Sequence, residues 1–86
     1  MKTATDRLMY SGYEDVVIFK NPSYDDALIG VTTDDRAVYD FNKMVEWLMK
    51  EEGMDEFEAV EYIEYNTIRS LGYVEGAPVI MYELEE

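Results

Sequence analysis

The sequence contains neither cysteine nor histidine among its 86 residues. Without cysteine the chain forms no disulfide and offers no thiolate to a metal ion, which argues against a small secreted disulfide scaffold. Without histidine it lacks the commonest general base and the commonest neutral metal ligand. Histidine-dependent triads, zinc sites and Glu-x-x-His di-iron centres are therefore excluded, and we expect no cofactor and no metal.

Basic residues and long hydrophobic runs are also scarce. Seven Lys and Arg stand against 20 Asp and Glu, which gives a formal net charge of −13. Free nucleic acid and anionic lipid surfaces are bound through cationic contacts, so both would repel this chain. No run approaches the roughly 18 apolar residues of a transmembrane helix, and residues 1–7 lack the apolar core of a signal peptide. We expect a cytoplasmic protein that binds neither membrane nor nucleic acid directly.

The chain nevertheless has enough apolar material to fold. Hydrophobic residues make up 48% and aromatic residues 14%, including eight tyrosines. This is well above the composition of disordered chains. A length of 86 residues corresponds to one small domain. We predict a single domain over 1–86, with 1–14 as a loosely ordered arm and 83–86 as an acidic tail.

Short apolar runs predict four strands. Runs rich in β-branched and aromatic residues at 16–19, 27–32 and 36–39 predict the first three. The Asp-rich turn at 33–35 predicts a hairpin between the second and the third. A run at 79–82 predicts the last strand.

Two helices are predicted between the third and fourth strands. Asp40 can cap the first, and Gly53 can end it. Its predicted apolar face consists of Phe41, Met44, Val45, Leu48 and Met49. Asp55 and Glu58 have the spacing of a capping box for the second helix, which is predicted to reach about Leu71. Its predicted buried face consists of Ala59, Val60, Ile63, Thr67, Ile68 and Leu71, and the Thr67 hydroxyl can bond back to the Ile63 carbonyl.

The resulting order, β-β-β-α-α-β, groups the helices between strands. Such grouping is typical of the α+β class. We therefore predict a small antiparallel β-sheet with a two-helix hairpin packed on one face.

Negative charge is concentrated on the two predicted helices. Between Glu46 and Glu64 there are eight acidic residues and one lysine. The acidic ridge, as we call it, surrounds the inter-helix turn and continues on the second helix; its members are Glu51, Glu52, Asp55, Glu56, Glu58 and Glu61. Close like charges destabilise a fold, and acids beyond the first helical turn gain little from the helix dipole. The ridge is either a solvated face that maintains solubility or a surface for a positively charged protein partner.

Three aromatic residues accompany the ridge as candidate partner-binding residues. Tyr62 and Tyr65 are predicted to project from the same face as Glu58 and Glu61, where rigid aromatic area suits protein binding. Alternatively, these tyrosines cover the sheet edges or the arm. Trp47 lies off the apolar face of the first helix, where it either caps the edge of the core or, if exposed, serves as a binding hot spot.

Two acidic pairs raise the question of a metal or catalytic site. Neither the pair at 25–26 nor the pair at 34–35 matches a calcium-binding loop, and both occur where turns favour Asp. Paired carboxylates can hydrolyse glycosides, but a chain of this size offers little room for a deep pocket. We expect no enzymatic activity and no catalytic residue.

Five sequence segments carry a resemblance to known proteins. They are V-Y-D-F-x-K-M-V-E-W-L-M at 38–49, E-G-M at 52–54, E-A at 58–59, Y-N-T-I-R at 65–69 and A-P-V-I at 77–80. Together they resemble a family of small acidic proteins encoded by phages, prophages and mobile elements of bacteria. The resemblance covers about residues 27–82, and its most recognisable part is Y-N-T-I-R.

In size, charge and α+β make-up, the chain is also similar in type to several anti-CRISPR proteins. Those proteins occupy the basic channel or DNA-recognition groove of an effector nuclease, with carboxylates where DNA phosphates would lie. The similarity implies an anti-defence inhibitor, a DNA mimic that binds a basic nucleic-acid-handling protein such as a CRISPR effector nuclease and blocks DNA binding. The alternative is a small phage or mobile-element interaction or regulatory module, or a homodimer, whose charge serves solubility only.

Overall fold

The computed structural model describes residues 3–84 and confirms the α+β class. Its helices are α1 (Ala4–Tyr10), α2 (Phe41–Glu51) and α3 (Glu56–Tyr62), and its strands are β1 (Leu28–Val31), β2 (Ala37–Asp40) and β3 (Val79–Met81). A 3₁₀ turn precedes β1 at Asp25–Ala27, and another lies at Leu71–Tyr73. No helix within this part of the chain has the length and apolar character needed to cross a membrane.

The sheet is mixed, so the prediction of an antiparallel sheet was wrong for one of its two pairings. β1 and β2 form the predicted antiparallel hairpin, in which Leu28 pairs with Tyr39. β3 instead runs parallel to β2, and Val79 pairs with Val38. Two parallel strands need a long connection that brings the chain back to the end of the sheet where the first strand began; here the helices between β2 and β3 provide it. The Arg36 Nε donates to the Ala77 carbonyl at 2.8 Å, which aligns the beginnings of β2 and β3.

The segment predicted as a loose arm contains the helix α1. Thr3 and Asp6 form a capping box, in which the Asp6 amide donates to Thr3 Oγ1 at 3.1 Å and the Thr3 amide donates to Asp6 Oδ2 at 3.3 Å. Asp25 adds a long-range cap, because its Oδ1 accepts from the Ala4 amide at 2.8 Å. Ala4 and Leu8 are buried. The helix is therefore docked on the domain.

The predicted first strand at 16–19 is not part of the sheet. The Phe19 amide donates to the Tyr39 hydroxyl at 3.3 Å, so this amide is satisfied by a side chain instead of a neighbouring strand. Val16, Ile18 and Phe19 pack against the buried core. These residues are apolar because they pack on the core. A strand with a buried face has the same kind of residues, so the sequence alone did not distinguish the two.

Helix α2 begins and ends as predicted. The Lys43 amide donates to Asp40 Oδ1 at 3.1 Å, and Gly53 follows the helix with a left-handed φ of 69°. The buried face consists of Phe41, Met44, Val45 and Leu48. Met49 was wrongly placed on this face, since its side chain is 40% exposed.

The second predicted helix is not a regular α-helix over its whole length. It starts as α3 and continues as a π-helix over Ile63–Ile68. Of the predicted buried face, Ala59, Ile63 and Thr67 are buried, and Val60 and Ile68 are half-buried. The Thr67 hydroxyl pairs with the Tyr24 hydroxyl at 2.8 Å, in place of the bond to the Ile63 carbonyl that the sequence allowed.

An aromatic cluster occupies the middle of the core. The ring centroid of Phe19 lies 4.7 Å from that of Tyr39 and 5.5 Å from that of Tyr24. The ring centroids of Tyr24 and Trp47 are 5.6 Å apart. Tyr24 and Tyr39 belong to the buried core; its members are Ala4, Leu8, Tyr24, Ala27, Leu28, Ala37, Tyr39, Phe41, Met44, Val45, Leu48, Ala59 and Ile63. Of the predicted acidic tail, Glu83 and Leu84 are exposed, and residues 85–86 lie outside the described part of the chain.

Candidate functional site

The acidic ridge lies on the turn between α2 and α3 and on the first turns of α3. Glu51 is the last residue of α2, and Glu56 is the first of α3. Gly53 reverses the chain between them with its left-handed backbone. All six ridge residues are exposed. The ridge carboxylates are thus solvent-facing along one continuous stretch of chain, from the end of α2 to the second turn of α3.

Two ridge residues have a structural role in the N-terminus of α3. The Glu58 amide donates to Asp55 Oδ1 at 2.8 Å, and the Asp55 amide donates to Glu58 Oε1 at 3.3 Å. This is the capping box that the sequence predicted. It fixes the direction in which both carboxylates point, and it leaves Oε2 of Glu58 without a partner in the capping box.

The other four ridge residues have no such role. Within residues 3–84, the side chains of Glu51, Glu52, Glu56 and Glu61 form no hydrogen bond or ion pair. Their charges are therefore not neutralised by a lysine or arginine of the described chain. An exposed carboxylate in this state is available to a cation from outside the molecule.

A surface depression adjoins the ridge along α3 and the π-helix. It has a volume of about 330 Å³. We call it the aromatic groove; its lining residues are Met54, Phe57, Glu58, Glu61, Tyr62, Tyr65 and Asn66. Four of the nine predicted partner-binding residues, namely Glu58, Glu61, Tyr62 and Tyr65, therefore lie around a single concave surface.

The two predicted tyrosines differ in their exposure. Tyr65 is 62% exposed, as expected for a surface contact residue. Tyr62 is half-buried and packs against the core, so only part of its ring is accessible in the groove. Tyr62 is thus a partly accessible lining residue of the groove that is held by the core.

Trp47 lies away from the aromatic groove. Its half-buried ring packs against Tyr24, which agrees with the first of the two alternatives, that Trp47 caps the edge of the core. Its accessible edge lines a different depression of about 310 Å³, together with Asp26, Lys43, Glu46 and Lys50. The structure does not bring Trp47 together with the other predicted contact residues.

Sequence reasoning missed two features of the groove. Phe57 is 72% exposed although it is a large apolar residue. It lies on the otherwise polar side of α3, one turn before Glu61, and an apolar residue in that position was a signal that could have been followed. The π-helix was the second feature, and its wide turn carries Tyr65 and Asn66. Such irregular turns are frequent at functional sites.

One member of each acidic pair outside the ridge accepts structural hydrogen bonds. Asp25 accepts from the Ala4 amide and from Ser23 Oγ, and Asp34 accepts from Thr32 Oγ1. The hydrogen bond from Thr32 holds the pKa of Asp34 below its usual value. Among residues 3–84, no group of three or more acidic side chains is arranged to hold a metal ion.

Comparison with known proteins yields no matching family model, no similar curated protein and no similar solved structure. The resemblance to the phage-encoded family therefore stays a prediction from the five sequence segments. The candidate site has to be interpreted from its own geometry and charge.

Proposed function

We propose that this chain is an anti-defence inhibitor that binds a basic nucleic-acid-handling protein and prevents it from binding DNA. The acidic ridge acts as a DNA mimic, in which carboxylates occupy the positions of phosphates. A CRISPR effector nuclease, found in the bacterial host of a phage or mobile element, is the most specific form of such a partner. The protein acts by binding alone and catalyses no reaction.

The observation that carries the proposal is the state of the ridge carboxylates. Glu51, Glu52 and Glu61 are exposed and form no ion pair with the described chain. Like charges at neighbouring positions cost stability, and the cost is offset when a cationic surface is bound. Nuclease channels for DNA are lined with Arg and Lys, which such carboxylates can pair with.

The net charge of −13 supports the same proposal through kinetics. A strongly acidic protein is drawn toward a basic channel by long-range attraction, which raises the association rate at low ionic strength. It also disfavours direct contact with nucleic acid and with anionic membranes.

The proposal is tested by capture and by DNA competition. The tagged chain is incubated at low and high salt with a lysate of a CRISPR-bearing bacterium, and a captured nuclease is then purified and assayed for DNA binding. The ridge variant is Glu51/Glu52/Glu61→Lys, which spares the Asp55–Glu58 capping box. The matched control is Glu14/Asp15/Glu75→Lys, which reverses the same number of exposed charges outside the ridge.

We expect wild type and the control variant to capture the nuclease at low salt and to block its DNA binding, and the ridge variant to do neither. Unimpaired DNA binding in the presence of saturating wild-type protein would refute the proposal. If the ridge variant and the control variant behave alike, the charge serves solubility only. The chain is then better described as a small interaction module or a homodimer.

A further inference from the structure

The aromatic groove exposes large apolar side chains on an otherwise acidic surface. Phe57 is 72% exposed and Tyr65 is 62% exposed, and both line the same depression as Met54. Exposing large rings to water is unfavourable, and neighbouring exposed rings generally mark a binding surface. A solubilising face would not need them.

The rings of Phe57 and Tyr65 have no aromatic neighbour in the described chain. The four ring pairs within residues 3–84 involve Phe19, Tyr24, Tyr39, Phe41, Trp47 and Tyr82. Neither groove ring takes part in any of them. Because both residues are also largely exposed, their rings are accessible to a flat or cationic group from outside.

Two carboxylates line the same groove. Glu61 forms no hydrogen bond or ion pair within residues 3–84. Glu58 uses Oε1 in the capping box, and its Oε2 accepts no hydrogen bond from these residues. A group that enters the groove thus meets aromatic faces together with two carboxylates. This combination favours a cation that can stack and donate hydrogen bonds at once.

We propose that the aromatic groove binds one arginine side chain of the protein partner. The guanidinium stacks on the exposed ring of Tyr65 or Phe57 and donates to the carboxylate of Glu61. Arginine fits better than lysine because its guanidinium is planar, less strongly hydrated and able to pair with a carboxylate in a bidentate manner. The identity of the partner protein rests on the function proposed above, but the chemistry of the groove does not.

The acidic ridge and the aromatic groove would make two different kinds of contact with the same partner. The ridge attracts any basic surface, and this attraction weakens with salt because exposed charges are screened. The groove selects a side chain by shape and stacking, which salt screens less. Buried arginine anchors are typical centres of binding energy in protein interfaces.

The test is an NMR titration of the full chain with three blocked tripeptides, Gly-Arg-Gly, Gly-Lys-Gly and Gly-citrulline-Gly. We expect the arginine peptide to shift amide signals within 54–66 and to bind about fivefold more tightly than the lysine peptide. The neutral citrulline peptide should cause no comparable shift. Equal shifts by arginine and lysine peptides, or shifts spread over all acidic residues, would overturn the proposal.

Variants of exposed residues keep the result interpretable. Tyr65→Ala and Glu61→Gln should each weaken binding of the arginine peptide about five- to tenfold, and Tyr65→Phe should retain it because the ring face remains. Tyr73→Ala is the matched control, since Tyr73 is 92% exposed and lies outside the groove. If Tyr65→Ala binds as well as wild type while its amide spectrum shows an intact fold, the groove is not the site.

The two proposals can fail separately. If the arginine peptide binds in the groove but saturating protein leaves DNA binding by the captured nuclease unchanged, the groove proposal stands and the proposed function falls. If the nuclease is captured and inhibited equally by wild type and by Tyr65→Ala, and the peptides do not discriminate, the groove proposal falls and the proposed function stands.

Discussion

The hydroxyl groups of Tyr24 and Thr67 lie 2.8 Å apart in the buried interior. Tyr24 has a left-handed backbone just before the 3₁₀ turn that leads into β1, and Thr67 lies in the π-helix. Forty-three positions along the chain separate the two residues. The contact therefore connects the hairpin side of the domain to the element that carries the aromatic groove.

Replacing one partner of this pair should destabilise the fold. Tyr24→Phe leaves the buried Thr67 hydroxyl without a partner, and we expect the free energy of unfolding to fall by about 1–2 kcal/mol. Thr67→Val should act similarly. The double variant should lose less than the sum of the two, because no unpaired polar group is left behind. Urea unfolding measures all three, with Tyr73→Phe as an exposed control; strictly additive losses would contradict the expectation.

Stability should decline in alkaline solution because two tyrosines are buried. Burial raises the pKa of Tyr24 and of Tyr39 from 10.0 to about 12. Between these values the unfolded chain loses both protons while the folded chain keeps them, so the unfolded state binds fewer protons and the free energy of unfolding falls as pH rises. Well below pH 10 both groups are protonated in the folded and the unfolded chain, so they should contribute no slope there.

The alkaline decline is measured by urea unfolding at a series of pH values up to about 12. Tyr39→Phe removes one of the two titrating groups and should flatten the slope, whatever its effect on stability near neutral pH. Tyr73→Phe should leave the slope unchanged, since Tyr73 is almost fully exposed. A wild-type stability that stays constant across this range would show that both tyrosines ionise freely in the folded state.

Adjacent positions on α2 should respond very differently to truncation. Leu48 is fully buried, and Leu48→Ala should cost about 2–5 kcal/mol through lost apolar contact and a residual cavity. Met49 is 40% exposed, so Met49→Ala should cost less than about 1 kcal/mol. Thermal unfolding of the two variants decides the matter. Similar losses would mean that the buried face of α2 includes Met49, as the sequence had indicated.

Helix α1 should depend on the carboxylate of Asp25. Asp25→Ala removes the acceptor of the Ala4 amide, and we expect a loss of about 1 kcal/mol together with faster amide hydrogen exchange over residues 4–10. Asp25→Asn keeps an oxygen acceptor and should retain most of the protection. Asp26→Ala alters an exposed neighbour and serves as the control. Fast exchange over 4–10 in the wild type itself would restore the prediction of a loose arm.

Repulsion within the acidic ridge should be visible without any partner. We expect the wild-type free energy of unfolding to rise with added salt, because screening weakens the repulsion between exposed carboxylates. Glu51/Glu52/Glu61→Gln should be more stable at low salt by about 0.5–1 kcal/mol and should respond less to salt. Glu14/Asp15/Glu75→Gln is the matched control. The same response in both triple variants would mean that ridge charges repel no more than others.

Features controlled by neighbouring residues could be predicted from the sequence. Asp40 and the Asp55–Glu58 pair cap their helices through bonds that span three residues, and such bonds leave a recognisable spacing. The hairpin of β1 and β2 follows likewise from a short Asp-rich turn. The acidic ridge could be predicted because the density of acidic residues is read directly from the sequence.

Features controlled by distant residues could not be predicted in this way. Helix α1 is docked through Asp25, which lies 21 positions from Ala4, and β3 is aligned by Arg36, which lies 41 positions from Ala77. Residues 16–19 look like a strand because apolar packing and sheet pairing favour the same residue types. In each case the conformation of the segment depends on a contact with a residue far along the chain, which local sequence patterns do not show.

The π-helix has a consequence for how α3 tolerates changes in length. A turn closed by i→i+5 contacts holds one more residue than an α-helical turn closed by i→i+4 contacts. Removing one residue from Ile63–Ile68 would allow an uninterrupted α-helix, but every later side chain would rotate by about 100° relative to Glu61. A deletion before Tyr65 would thus turn Thr67 away from Tyr24 and Tyr65 away from the groove. The extra residue in the π-helix therefore acts as a spacer. It sets the direction of Thr67 and Tyr65 relative to the preceding turns of α3.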